Sequence, residues 1–319
     1  MSISLPLPFS PQRVVIGANA HAEIAERLRA ARPAIEVRGA PFMQITVDDL
    51  QWADTYIGFR RPPSARHMGS VRWVHSTGAG VDGWLGPGLD ESLLLTRSPE
   101  SFGPMIAEWA VARIFAIQQQ LVSLLDAQRE HRWAPRDISM VAGTKALLVG
   151  TGDIGSAIAH KLTALGVTVT GVSRSGQASH AAFPAVHTVD RLPDLVADAD
   201  WIVLSIPDTP STRGLVSRET LSRCRGAVLL NAGRGAVVDE AAIPEALDQG
   251  WLRGAALDVF ATEPLPAASP LWNDPRILVS PHISGLTTVA GAADGFLECV
   301  ASLEQGVLPK WTVDRARGY

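Results

Sequence analysis

Cysteine is nearly missing from this chain of 319 residues: Cys224 and Cys299 are its two, far apart and outside any CxxC spacing. A disulfide framework is thereby excluded, and buried thiols in a reducing compartment are expected. Charge is sparse as well, at 19% of residues, and 28 basic against 32 acidic side chains give a net charge of −4. No positive field is left to gather a polyanion, so nucleic acid is not an expected partner. Long apolar runs are lacking too. The longest stretch without Asp, Glu, Lys or Arg, residues 277–293, contains Pro281, His282 and two glycines, which excludes a membrane span there. Residues 1–11 hold Pro6, Pro8 and Pro11 and no basic segment leading into an apolar one. A secretory signal is therefore not expected, and cytoplasmic residence is. HExxH, paired Cys/His ligand spacing and GxSxG are absent, so neither a metal site nor a serine hydrolase is expected.

What is present is globular material for about two domains, 46% hydrophobic with 28 glycines and 22 prolines. In the first hundred residues, β-type runs at 13–17, 35–38, 55–59, 71–76 and 92–97 alternate with stretches such as the helical 21–31, which predicts a small open α/β sheet. Residues 105–133 then carry Ile106, Trp109, Ala110, Ile114, Ile117, Leu121, Leu124 and Leu125 at helical spacing. This predicts one long amphipathic helix, suited to linking domains or packing on a second subunit. From Lys145 a second alternation begins, with strands at 146–150, 167–173, 201–206, 227–231, 254–259 and 277–280. Helices are expected between them at 154–165, 192–199, 219–224 and 240–249, and a last one over 287–304. Uniformly apolar strands such as Ala146-Leu147-Leu148-Val149 imply a parallel sheet covered on both faces.

Gly150-Thr151-Gly152-Asp153-Ile154-Gly155 falls between an apolar strand and a helical pattern, the setting a dinucleotide fingerprint requires. Gly150 permits the tight turn, Gly152 lets the backbone approach a pyrophosphate, and Gly155 lets the helix pack close to the sheet. The helix start at Asp153 and Ile154 offers N–H groups to the anion. The alternative for the same letters is a glycine-rich turn without a ligand. At the end of the next strand, Ser173-Arg174-Ser175 supplies no carboxylate for a ribose 2′-hydroxyl. Arg174 with two flanking hydroxyls suits a 2′-phosphate, so NADP is preferred, with NAD left open.

Three later segments each follow a strand end, where open α/β sheets bind ligands: Asn231-Ala232-Gly233-Arg234-Gly235, Asp258-Val259-Phe260-Ala261-Thr262-Glu263-Pro264 and Ser280-Pro281-His282. In this order, behind the glycine loop, they resemble the D-isomer-specific 2-hydroxyacid dehydrogenase family over most of residues 70–290. Ser173-Arg174-Ser175 and the terminal Val313-Asp314-Arg315-Ala316-Arg317-Gly318-Tyr319 are most similar to its bacterial glyoxylate/hydroxypyruvate reductases of the A type. The resemblance implies that His282 is the general acid/base, Glu263 its carboxylate partner, and Arg234 the residue that holds the substrate carboxylate and polarises its keto oxygen. It extends the cofactor-binding set to Pro207, Ala232 and Asp258, with a purely structural acid as the alternative for Asp258. A proton donor and a fixed cation beside a carbonyl that receives hydride both stabilise the developing oxyanion. Glu263 would favour the imidazolium form of His282, so reduction is expected to fall as rising pH strips the ring of its proton. In the first domain, His75-Ser76-Thr77-Gly78-Ala79-Gly80 resembles the family loop whose N–H groups bind the substrate carboxylate, here those of Ala79 and Gly80.

Phe59-Arg60-Arg61-Pro62-Pro63 departs from the tryptophan that glyoxylate-type relatives carry before a Pro-Pro pair. The added positive charge suits a second anionic group on the substrate. Met105 and Trp133 are further candidates for the cleft wall. The expected fold is α/β with two Rossmann-like domains: a doubly wound parallel sheet in the dinucleotide-binding domain, residues 101–286, and a smaller flavodoxin-like substrate domain, residues 1–100 and 287–319. The cleft is expected between them, and a homodimer is expected on the helix near Met105. The expected activity is NAD(P)H-dependent reduction of a small 2-keto acid of the glyoxylate/hydroxypyruvate type to the D-2-hydroxy acid. Two alternatives stay open: another D-2-hydroxyacid dehydrogenase, of the 3-phosphoglycerate, D-lactate or sugar-acid type, and a cofactor-sensing binding protein resembling the C-terminal-binding corepressors.

Overall fold

Val14 and Ile16 face one side of the first strand and Val15 the other, yet all three are fully buried. Side chains alternate across a strand, so burial on both faces requires cover on both sides of the sheet. The computed structural model describes residues 5–65, 68–85, 88–98, 102–177 and 181–318, so Tyr319 of the terminal segment lies outside them. The chain divides into two units, residues 1–101 with 287–319 and residues 102–286.

The first unit holds β1 (Arg13–Gly17), α1 (His21–Ala31), β2 (Glu36–Ala40), α2 (Val47–Trp52), β3 (Thr55–Ile57), β4 (Trp73–Ser76) and β5 (Leu94–Arg97), together with the closing helix Val289–Glu304. Its sheet is parallel in the order 2-1-3-4-5, the flavodoxin-like arrangement. Val14, Ile16, Ile57 and Trp73 pack under α1 and the closing helix, where Trp73 stacks on Phe296 with ring centroids 4.8 Å apart. Val15, Tyr56, Val74 and Leu95 pack on the opposite face with Leu50 and Trp84.

The second unit begins with α3 (Gly103–Gln118) and α4 (Leu121–Arg129). It continues through β6 (Lys145–Val149), α5 (Asp153–Ala164), β7 (Thr168–Ser173), β8 (Val186–Thr188), α6 (Leu192–Leu195), β9 (Trp201–Leu204) and α7 (Arg218–Ser222). It ends with β10 (Ala227–Asn231), α8 (Ile243–Asp248), β11 (Leu252–Leu257) and β12 (Ile277–Val279). Its parallel sheet runs β12-β11-β10-β9-β6-β7-β8, a doubly wound order that reverses direction between β6 and β9. Ligands bind outside the carboxyl ends of the strands at such a reversal.

Residues 105–133 do not form one helix. α3 stops at Gln118, and Gln120 adopts φ 52 before α4 begins; a left-handed residue cannot continue a right-handed helix. The side-chain N–H groups of Gln118, Gln119 and Gln120 donate to the carbonyls of Met140, Ser139 and Asp137, so this polar run ties down the segment after α4. α3 lies close against α5: a Cβ on Gly103 would come within 3.2 Å of the Ala157 Cβ. Among the described residues no helix is long and apolar enough to cross a membrane. Both cysteines are buried, and burial pushes their thiols up to about 12.

Candidate active site

β6 ends at Val149, and Gly150 turns the chain with φ 107, a conformation that only glycine adopts readily. A Cβ there would lie 2.8 Å from Ser205 Oγ and 2.9 Å from Ile206 Cγ2, so the segment after β9 closes the turn. At Gly155 a Cβ would fall 2.0 Å from the Gly150 carbonyl oxygen. At Gly152, by contrast, it would meet nothing within 4 Å, and no side chain caps α5. The Ser156 N–H donates to the Gly152 carbonyl at 2.8 Å, and the N–H groups of Ile154 and Gly155 come before it. An open surface at the positive end of a helix, lined by N–H groups, fits the pyrophosphate of a dinucleotide.

At the end of β7, Ser173 Oγ and Ser175 Oγ lie 3.5 Å apart, on either side of the exposed Arg174. The Ser173 hydroxyl donates to the Gln177 carbonyl at 3.2 Å, and Ser175 Oγ accepts the Gln177 N–H at 3.3 Å. Pro207 follows β9, and its carbonyl accepts the Thr212 hydroxyl at 2.6 Å. Ala232 is buried directly after β10, its N–H donating to the Leu204 carbonyl at 3.1 Å.

Asn231 shapes the next loop. Its side-chain N–H donates to the Arg234 carbonyl at 3.0 Å while its Oδ1 accepts the Gly233 N–H at 3.0 Å. Arg234 is half-buried and donates through Nη1 to the Gly233 carbonyl at 2.7 Å. The flanking glycines are places of close approach. A Cβ on Gly233 would lie 2.7 Å from the Ile206 carbonyl oxygen, and one on Gly235 only 1.9 Å from the Phe260 carbonyl carbon. The loops after β9, β10 and β11 are thus pressed together backbone to backbone.

Glu263 stands on the loop after β11 and His282 on the turn after β12, and Glu263 Oε2 lies 2.8 Å from His282 Nδ1. Both side chains are partly open, 36% and 40% exposed, so solvent or a ligand can reach them. Glu263 Oε1 accepts the Phe260 N–H at 3.0 Å. His282 has φ 55, and its N–H donates to the Asp258 carbonyl at 2.8 Å and to the Ser280 carbonyl at 3.1 Å. Asp258 is the residue that anchors this turn. The residue is fully buried, and its carboxylate accepts from the Ser280 hydroxyl at 2.6 Å and from the N–H groups of Ile283 and Ser284 at 3.0 and 2.8 Å. An anion held by three internal donors fixes the turn that carries His282, a structural service of the kind named as the alternative for this residue. Trp109 of α3 completes this support by donating to Ser280 Oγ at 3.0 Å, a role that no motif announced.

In the first unit, the loop after β4 is tied by its carbonyls. Arg97 Nη1 donates to the Ala79 carbonyl at 3.0 Å and the Thr287 hydroxyl to the Thr77 carbonyl at 3.3 Å. A trans peptide points its N–H opposite to its C=O, so the Gly80 N–H faces away from Arg97. Among the described residues the N–H groups of Ala79 and Gly80 donate to no protein acceptor. Phe59 covers this loop, its ring atoms 2.4 Å from where a Gly78 Cβ would stand. The exposed Arg60 places its guanidinium 5.8 Å from the Phe42 ring centroid. His75, beneath the loop, is fully buried between Thr96 Oγ1 and Ser98 Oγ, each 2.8 Å from a ring nitrogen. Burial lowers its pKa to about 3. Of the further cleft candidates, Met105 is half-buried and Trp133 is 95% exposed.

The family described as D-isomer specific 2-hydroxyacid dehydrogenase, NAD binding domain, matches residues 111–284. The glyoxylate/hydroxypyruvate reductase A of Salmonella paratyphi B is 32% identical over 284 residues, 86% of this chain and 90% of its own. Among solved structures, a D-isomer specific 2-hydroxyacid dehydrogenase of Xanthobacter autotrophicus Py2 in complex with NADPH and MES gives a TM-score of 0.87 at 31% identity, over 98% of this chain and 100% of its own. An NADPH-dependent glyoxylate/hydroxypyruvate reductase of Sinorhizobium meliloti, in complex with NADP and sulfate, gives 0.84 at 29% identity, over 97% of this chain and 100% of its own.

Proposed function

Because this chain belongs to the D-isomer-specific 2-hydroxyacid dehydrogenases and is thereby an NAD(P)-dependent oxidoreductase, we propose that it reduces a small 2-keto acid of the glyoxylate/hydroxypyruvate type to the D-2-hydroxy acid, with NADPH preferred over NADH. The observation that carries this reading is the 2.8 Å contact of Glu263 with His282 Nδ1. An ionised carboxylate only accepts, so Nδ1 keeps its proton and Nε2 is left to exchange one with substrate. A bound nicotinamide cofactor supplies the hydride. In this reading Gly150, Gly152, Asp153, Ile154 and Gly155 hold the pyrophosphate, while Ser173, Arg174 and Ser175 take the 2′-phosphate. Pro207 and Ala232 line the same ends of β9 and β10.

His282 Nε2 gives its proton to the keto oxygen as charge develops there, and Arg234 fixes the carboxylate and draws that charge toward its guanidinium. The N–H groups of Ala79 and Gly80 bind the same carboxylate. Residues 102–286 then act as the cofactor domain and the first unit as the substrate domain. A homodimer belongs to the proposal, supported by the exposed Phe115, Leu121, Leu124 and Leu125 of α3 and α4. The buried thiols suit residence in the cytoplasm.

The missing carboxylate after β7 supports NADPH, as do the NADPH and NADP bound by the relatives from X. autotrophicus and S. meliloti. Arg60 beside Phe59 favours a second reading, a substrate with a distal carboxylate or phosphate. The test is a panel of glyoxylate, hydroxypyruvate, pyruvate, oxaloacetate and phosphohydroxypyruvate with each cofactor. The proposal expects the highest kcat/KM for glyoxylate or hydroxypyruvate with NADPH. A preference for the doubly anionic acids selects the second reading, and tight NADPH binding without turnover selects a corepressor-like sensor.

A further inference from the structure

Behind the turn that presents Glu263 stands a second carboxylate. Glu240, half-buried at the start of the short helical turn Glu240–Ala242, accepts the Ala261 N–H through Oε1. The preceding N–H, that of Phe260, is taken by Glu263 itself at 3.0 Å. Two successive amides are thus claimed by two glutamates, one of which also holds His282. The same peptide lies against Gly235, where a Cβ would come 2.2 Å from the Ala261 nitrogen. Burial raises the Glu240 carboxyl above the ordinary carboxylate range; the Ala261 N–H draws it partly back, and the charge of Glu263 pushes it up again.

We propose that Glu240 is a positioning residue for the reaction: it fixes the 260–263 turn that delivers Glu263 to His282. This rests on the reading of His282 as proton donor. The other charged groups on the packed elements are Arg234, which precedes Gly235, Asp239 beside Glu240, and Asp258 beneath the His282 turn, which interacts with Arg113 of α3. All are unchanged in a Glu240 variant, so comparison with the wild type isolates this carboxylate.

Glu240→Gln keeps an acceptor oxygen for Ala261, whereas Glu240→Ala removes it and frees the turn. Glu240→Ala is expected to lower kcat for keto-acid reduction about tenfold, as a misplaced acid/base pair allows, with KM for NADPH unchanged, and Glu240→Gln to restore most of that loss. A merely structural role lowers the stability of Glu240→Ala and leaves kcat per folded molecule at the wild-type value. An undiminished kcat in folded Glu240→Ala overturns the proposal; should that variant not fold, an undiminished kcat in Glu240→Asp, which keeps an acceptor on a shorter reach, overturns it. An undiminished kcat in His282→Gln defeats the His282 reading instead, which separates the two failures.

Discussion

The ring of His282 is oriented twice, by Glu263 at Nδ1 and by a left-handed backbone that the buried Asp258 holds in place. A group fixed in this way contributes about 10²- to 10⁴-fold when it transfers a proton in the rate-limiting step. His282→Gln is therefore expected to lower kcat by that range while the NADPH dissociation constant, read by fluorescence titration, stays put; full turnover in the variant removes the assignment. His75 makes the opposite case, a histidine that stays neutral. Its folded-state pKa of about 3 lies below the ordinary 6.5, so below pH 6.5 the unfolded chain binds a proton that the native chain refuses. The stability it contributes is full above pH 6.5 and is lost as pH falls toward 3, at about 1.4 kcal/mol per unit. Urea unfolding at about pH 7.5 and about pH 5 should show the wild type losing about 2 kcal/mol more than His75→Gln; equal losses refute the burial argument. Arg234, Glu263 and His282 stand just past strand ends as the βα alternation implied, and the Glu263–His282 contact was legible through the family resemblance. The inward aim of Asp258 and the service of Glu240 were not, because hydrogen bonds made across loops leave no trace in spacing.

Between β4 and β5, the backbone of one loop is set by a side chain from the next strand. Arg97 at the end of β5 holds the Ala79 carbonyl, and its removal frees that peptide to rotate and turns the Gly80 N–H from its aim. Arg97→Met is expected to raise KM for the keto acid about tenfold, the worth of one charge-assisted contact, with kcat and KM for NADPH little changed and partial recovery in Arg97→Lys. An unchanged keto-acid KM sinks the idea. Elements themselves were readable to different depths. β1, α1 and β10 occupy the residues their apolar pattern marks. The break at Gln119 and Gln120 was hidden because the 3.6-residue pattern of apolar positions runs on through Leu121 and Leu125, while the stop is a backbone sign at Gln120. β8, with Val-His-Thr half-buried at the sheet edge, has no apolar run to mark it.

Taken as a whole, the molecule divides the residues proposed for the reaction by unit. The glycine loop, Ser173-Arg174-Ser175, Arg234, Glu263 and His282 all lie in residues 102–286, whereas the 76–80 loop lies in the discontinuous first unit. The strand runs made two α/β sheets legible, the second of them as parallel, but strand order depends on which side each crossover takes, which periodicity does not encode. The two places where the chain passes between units are neighbours within the second: a Cβ on Gly285 would come 2.7 Å from Phe102 Cδ1. This division predicts a division of ligand protection in hydrogen exchange. NADP⁺ at about 100 times its dissociation constant stabilises the native chain by about 2.7 kcal/mol, and its direct protection should fall on amides 150–156 and 173–177. Oxalate, a carboxylate mimic that cannot be reduced, added to that complex should then slow exchange at Ala79 and Gly80, whose N–H groups have no protein acceptor among the described residues. NADP⁺ that leaves 150–156 unprotected contradicts the cofactor assignment, and oxalate that leaves Ala79 and Gly80 unchanged contradicts the substrate one. Because the two readings fail on different peptides, one experiment judges both halves of the proposed reaction.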